Sequence, residues 1–234
     1  LMHRELVDSN TALKFNQSLI KVSAAVKDEL TAKCLKNMSL FAARKAVNCN
    51  LGEIDDVRDW MINHTLPVID LGQKMFNYAE RNMLENPDAK KHLLDFCHNI
   101  GFNIEDMAVE KDYMSLTPEM IQFIKSSGQL SDENASKLSK DPKMPNGFKT
   151  DFIVSVINKR GKEIYTLPKA SQSEGTLRAM GIETALYVAE QNNKLLPIDE
   201  IETSMHPLLL KFMIQSFLKV QSRSQLLLTT HYDP

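Results

Sequence analysis

The stretch LLPIDEIETSMHP, Leu195–Pro207, decides the reading of the fold. An apolar run delivers two adjacent carboxylates, Asp199 and Glu200, and two such groups repel unless a cation or hydrogen-bond donors lie beside them. Open α/β sheets bind their ligands at the carboxyl ends of buried strands, where these acids would stand. Asp199 is then the candidate to hold Mg2+ through water, and Glu200 the candidate to orient or deprotonate an attacking water. A solvated acidic turn is the competing account of any single Asp-Glu pair.

Just upstream, SQSEGT (Ser171–Thr176) opens a helix whose expected inner face is Leu177, Met180, Thr184, Tyr187 and Val188. Unpaired N–H groups and the positive end of the helix dipole make such a turn an anion site, with Ser173, Gly175 and Thr176 as the contacts. A plain helix cap through the Ser173 hydroxyl explains the same residues. Downstream, a helix from Pro207 to about Val220 leads into QLLLTTH, a strand ending in Thr229, Thr230 and His231. A histidine at that edge can hydrogen-bond a terminal phosphate or the nucleophilic water. Strand, helix and strand in this order predict an α/β fold.

Further upstream, DFIVSVINKRGKEIYTL reads as a hairpin turning through Asn158–Lys162. Gln129–Thr150 is polar and rich in Ser, Asp, Lys and Pro, and reads as an exposed loop. Two helices carry start and stop signals: Asn86-Pro87 to Gly101, and Thr117-Pro118 to Gly128. FNIEDMAVE between them has strand character. The face Ile54, Val57, Met61 continues a helical period from Ala24, with Trp60 read as a packing anchor. Leu1–Ser23 reads as a β meander, with LKF and LIKV patches after the turn Asp8-Ser9-Asn10. The expected divisions are residues 1–23, the mainly helical residues 24–150, and residues 151–234.

Of the 234 residues 43% are hydrophobic and 25% charged, with a formal charge of -2. This is a globular composition with no global attraction to nucleic acid, whose binding would require a local basic groove. Three widely spaced cysteines, Cys34, Cys49 and Cys97, fit packing in a reducing, cytoplasmic setting better than a disulfide framework or a metal site. No apolar run has the length of a membrane span, and the expectation is a chain without a basic-then-apolar leader.

Taken together, Ser173-x-Gly175-Thr176, LLPIDE, TSMH and His231 resemble, in order and spacing, the signature loop, Walker B strand, D-loop and switch histidine of ABC-superfamily ATPase heads. The likeness is closer to chromosome-maintenance and DNA-repair heads than to transporter subunits. It is closest to the bacterial anti-phage ATPases that include overcoming-lysogenisation-defect-like and abortive-infection proteins, whose SxGT and IDE-x-E-x-S-x-HP patterns this chain repeats. The resemblance implies a P-loop NTPase head with a large helical insertion, binding ATP and Mg2+ between two copies of the chain. Asp199 would organise the metal, Glu200 would be the general base and His231 the γ-phosphate sensor. Ser173, Gly175 and Thr176 would act on the partner's nucleotide, with Ser204 and His206 near the dimer seam. A homodimer gating an effector, a nuclease or toxin, is the implied assembly.

One element of that pattern is missing. No G-x-x-x-x-G-K-[ST] loop occurs in the chain, because Gly161-Lys162 is followed by Glu163. The expectation is that this loop precedes Leu1 in a longer polypeptide. A non-hydrolysing scaffold that keeps the head fold, a DNA-repair ATPase and a transporter subunit remain as alternatives.

Overall fold

The computed structural model describes residues 2–7, 10–127, 134, 138 and 140–231. Asp8 and Ser9 of the expected turn, the stop at Gly128 and most of the run from Gln129 to Ser139 lie outside the described residues. The chain divides into two compact units, Leu1–Thr65 and Leu66–Pro234.

In the first unit β1 (Met2–Val7) pairs antiparallel with β2 (Asn10–Phe15), Met2 opposite Phe15. The LIKV patch is not a third strand. Asn16 accepts the Ser18 amide through its side chain and the Leu19 and Ile20 amides through its carbonyl, so the chain coils there instead of extending. Three helices follow, α1 (Ala24–Lys33), α2 (Leu40–Arg44) and α3 (Glu53–His64), the first two capped by the Ser23 and Ser39 hydroxyls. Leu13, Leu30, Ala43 and Leu51 form the centre of the unit's core. Arg44 ties α2 to α3 through Asp55 at 3.0 Å. The expected α3 face is only partly realised: Ile54 is buried, but Val57 and Met61 are nearly half exposed. Trp60 is not a packing anchor; it is half exposed and stacks on His64 one helical turn away.

The second unit holds α4 (Phe76–Glu85), α5 (Pro87–Asn99), β3 (Ile104–Ser115) and α6 (Pro118–Ser126). After them come β4 (Lys143–Asn158), β5 (Gly161–Pro168) and a 3-10 turn at Lys169–Ser171. The unit closes with α7 (Glu174–Asn192), β6 (Leu195–Ile198), α8 (Pro207–Lys219) and β7 (Gln225–Leu228). Local signals account for several boundaries. Asn86 accepts the Asp88 and Ala89 amides ahead of Pro87, Thr117 accepts the Met120 amide ahead of Pro118, and Gly101 takes a positive φ just beyond α5. The predicted hairpin forms, Asn158 opposite Gly161, and β3 joins it to give the antiparallel order β3-β4-β5. The exposed-loop reading of residues 129–150 is corrected at its end: β4 starts at Lys143, and its first residues pair with the outer half of β3.

α7 is the axis of this unit. The expectation of a single apolar face understates it, because every residue from Arg178 to Leu186 is buried, along with Ala189. Neighbours on several sides require this, with α4 and α5 packed along it. At Gly181 the backbone of Met75 approaches so closely that a Cβ would meet it at 2.4 Å. β6 and β7 pair in parallel, Ile198 opposite Leu228. A segment not anticipated from sequence, Leu66–Ile69, runs along the other side of β6. The Leu66 amide donates to the Leu195 carbonyl at 2.8 Å, Ile69 to Pro197 at 3.0 Å, and Asp199 to Ile69 at 2.8 Å. Leu196 and Ile198 are thereby buried, and the acids emerge at the carboxyl rim of a small parallel sheet.

Candidate functional site

Past Ile198 the chain leaves the sheet in a turn that the end of β7 stitches into place. The Thr229 amide donates to the Ile198 carbonyl at 3.0 Å, and the Ile201 amide donates to the Thr229 carbonyl at 3.2 Å. The Thr229 hydroxyl accepts the Glu200 amide at 2.9 Å and donates to Asp199 Oδ1. Glu200 sits in the left-handed region at φ 46°. A non-glycine residue held there carries roughly 1–2 kcal/mol of strain, which its surroundings must offset.

His231 lies across the turn, its Nε2 3.4 Å from Glu200 Oε1. Its backbone amide donates to Glu202 Oε1 at 2.6 Å, and this bond is the main reason the Glu202 carboxyl is held below its ordinary value. Asp199 and His231 are open to solvent, and Glu200 is about one-third exposed. Among the described residues no group of three His, Cys, Asp or Glu side chains is arranged to hold a metal. With one carboxylate oxygen of Asp199 engaged by Thr229, its second oxygen suits an ion such as Mg2+, which keeps most of its ligands as water and phosphate.

The SQSEGT turn forms the second half of the region. Ser173 caps α7, accepting the Thr176 amide at 3.0 Å, and the two hydroxyls lie 2.8 Å apart. Gly175 packs against the turn after β6, its Cα facing the Ser204 carbonyl oxygen. Ser204 is itself left-handed, at φ 61°. His206 caps α8 with its Nδ1, which accepts the Leu208 amide at 3.2 Å. Asp199, Glu200 and His231 thus form one cluster and Ser173, Gly175, Thr176 and Ser204 another, with residues 201–204 joining them. The six-residue SQSEGT motif and TSMH are far apart in sequence and touch in the fold.

Several residues that matter here carry no local sequence signal. Arg178 is 7% exposed, with its Nη1 3.5 Å from the Asp70 carbonyl and no hydrogen-bond partner on Nε or Nη2. Burial holds this arginine below its ordinary value, opposed by the charges of Asp70 and Glu174. Glu80 is fully buried and takes Lys169 Nζ at 2.7 and 2.9 Å and the Thr150 hydroxyl at 2.6 Å. That contact anchors the 3-10 turn that leads into Ser173. On the opposite flank of α7, His92 Nε2 lies 2.9 Å from Glu183 Oε1 and its ring stacks on Tyr187.

The fold and site define a class: an α/β protein with paired acids and a histidine at the rim of a parallel sheet, beside a hydroxyl-capped helix. The chain belongs to the family described as "AAA domain, putative AbiEii toxin, Type IV TA system", whose family model matches residues 56–233. It is accordingly an AAA-type P-loop ATPase relative, linked to abortive-infection proteins. No curated protein and no solved structure matches the chain. No described helix is long and apolar enough to cross a membrane.

Proposed function

We propose that this chain is the greater part of an ABC-type ATPase head that dimerises around ATP and Mg2+ and gates an effector in bacterial anti-phage defence. The observation that carries the reading is the convergence of Asp199, Glu200 and His231 at one sheet rim, Glu200 Oε1 facing His231 Nε2 at 3.4 Å. When bound, the metal supplies charge neutralisation for the transferring phosphoryl group. Asp199 would hold it, through water. Glu200, turned out of the sheet, is the base that receives the proton of the attacking water, and His231 donates a hydrogen bond at the terminal phosphate. Ser173, Gly175 and Thr176 meet the partner copy's nucleotide, with Ser204 and His206 at the seam. The family description places related proteins in a toxin–antitoxin setting, which supports an effector partner.

Because the 234 residues contain no G-x-x-x-x-G-K-[ST] stretch, the reading requires a phosphate loop elsewhere in the full-length polypeptide, and the experiment uses that polypeptide. Phosphate release and dimer formation with ATP are measured for wild type, Glu200→Gln and Ser173→Arg. The expected result is a loss of turnover on the order of 10²-fold or more in Glu200→Gln with the ATP dimer retained, and loss of the dimer in Ser173→Arg with ATP still bound. Unchanged phosphate release in Glu200→Gln would remove it as the base. A wild type that binds partners without releasing phosphate is the outcome expected of the second reading, a non-hydrolysing scaffold. The mutual pairing of the Ser173 and Thr176 hydroxyls favours that alternative.

A further inference from the structure

We infer that Thr229 is a positioning residue: its hydroxyl fixes the backbone of Glu200 and the carboxylate of Asp199 in one gesture, so that Glu200 faces His231. The inference rests on the ATPase reading for its catalytic consequence, but its geometric part stands on four contacts alone. A threonine hydroxyl offers one donor and two acceptor positions. At Thr229 both roles are used, accepting the Glu200 amide at 2.9 Å and donating to Asp199 Oδ1. The backbone of the same residue makes two further bonds to the same turn, from its amide to Ile198 and from Ile201 to its carbonyl. Thr229 therefore holds the chain on both sides of the acid pair.

The reciprocal half of the clamp comes from the turn itself. Glu202 Oε1 accepts the His231 amide at 2.6 Å, so β7's end holds the acids while the acids' turn holds the histidine. The left-handed backbone of Glu200 makes the arrangement directional. With an extended backbone at residue 200, the side chain would continue the alternation of the strand and leave the His231 side of the rim. The amide of Glu200 is the group Thr229 holds, and that bond is what selects the turned conformer. Valine has nearly the same shape and keeps both backbone bonds, but has neither donor nor acceptor. Serine keeps the hydroxyl and loses only the methyl group.

The test compares Thr229→Val and Thr229→Ser with wild type in the full-length protein. Amide exchange at Glu200 and its backbone φ from scalar couplings are read by NMR; kcat and KM are read from phosphate release. Melting temperature confirms folding. The expected result for Thr229→Val is faster exchange at Glu200, loss of the positive φ, and a kcat lower by about 10–10²-fold with KM within about twofold. Thr229→Ser is expected to recover most of each change. Glu200 exchange and φ unchanged in Thr229→Val would overturn the inference, as would a serine variant no better than valine, or a fall confined to KM. A wild type without turnover would defeat the ATPase reading separately; exchange and φ at Glu200 then decide the clamp.

Discussion

Gly175 and Ser204 meet backbone to backbone: a Cβ built on Gly175 would lie 2.2 Å from the Ser204 carbonyl oxygen. The first turn of α7 and the turn after β6 are thereby locked together within one chain. Movement of either would be felt by the other, since neither partner in the contact is a flexible side-chain tip.

Gly175→Ala tests that lock. Alanine in place of glycine within a helix gains up to about 1 kcal/mol of backbone entropy. Against this, overpacking costs about 1–3 kcal/mol and here must displace a carbonyl whose residue is already left-handed. The steric effect should win, lowering the urea midpoint with the slope unchanged. A variant as stable as wild type would show that the Ser204 turn yields freely.

Lys169→Met removes the cation from fully buried Glu80 and leaves it only the Thr150 hydroxyl. Breaking one side of a buried pair costs about 3–5 kcal/mol, and the partial exposure of Lys169 puts the expectation at the lower end. The double variant Glu80→Leu with Lys169→Met removes both charges and should recover most of the loss. Equal destabilisation of the single and double variants in urea unfolding would contradict the account.

Glu190 is pushed up to about 7 from an ordinary 4.5, by burial first and the Glu183 carboxylate second, with His92 opposing. Between those two values the folded chain binds more protons than the unfolded one, so stability falls as pH rises from about 4.5 to about 7 and then levels. Glu190 is only half buried, and solvent screening discounts the effect to on the order of 1 kcal/mol. Glu190→Gln should therefore be the more stable protein at pH 8 and lose its advantage at pH 4. A wild-type and variant pair with parallel stability profiles across that range would argue against it.

Arg178→Met asks what the under-bonded guanidinium costs, since only its Nη1 has a hydrogen-bond partner. Burying a charge with two unbonded nitrogens is unfavourable, so an apolar side chain of similar length should leave stability unchanged or raise it by about 1–2 kcal/mol. Thermal unfolding at neutral pH measures this. A fall of more than about 2 kcal/mol would mean that the guanidinium has a strong partner in solution.

Local signals were enough for the elements that depend on neighbours in sequence. Asn86-Pro87 and Thr117-Pro118 announce helices because a capping oxygen and a missing N–H act within one turn of chain. Asn158 and Gly161 mark the hairpin, and Ile198-Asp199-Glu200 places acids at a strand's end, for the same reason. Where the pattern misled, a long-range contact or a local side chain overruled periodicity. LIKV coils because Asn16 captures the passing amides, Lys143–Thr150 extends because β3 offers a partner, and α3 exposes Val57 and Met61.

By itself, then, the sequence determined the chemistry available at the rim: two acids, a histidine and a hydroxyl-rich helix start, in a fixed order. Only the tertiary structure decided which of them meet. The Leu66–Ile69 segment, Thr229 on Glu200, Glu202 on His231, Ser204 on Gly175 and Lys169 on Glu80 join residues from 29 to about 130 positions apart. Pairings of that kind have no periodicity to reveal them, because they are set by chain closure and close packing rather than by the preferences of adjacent residues.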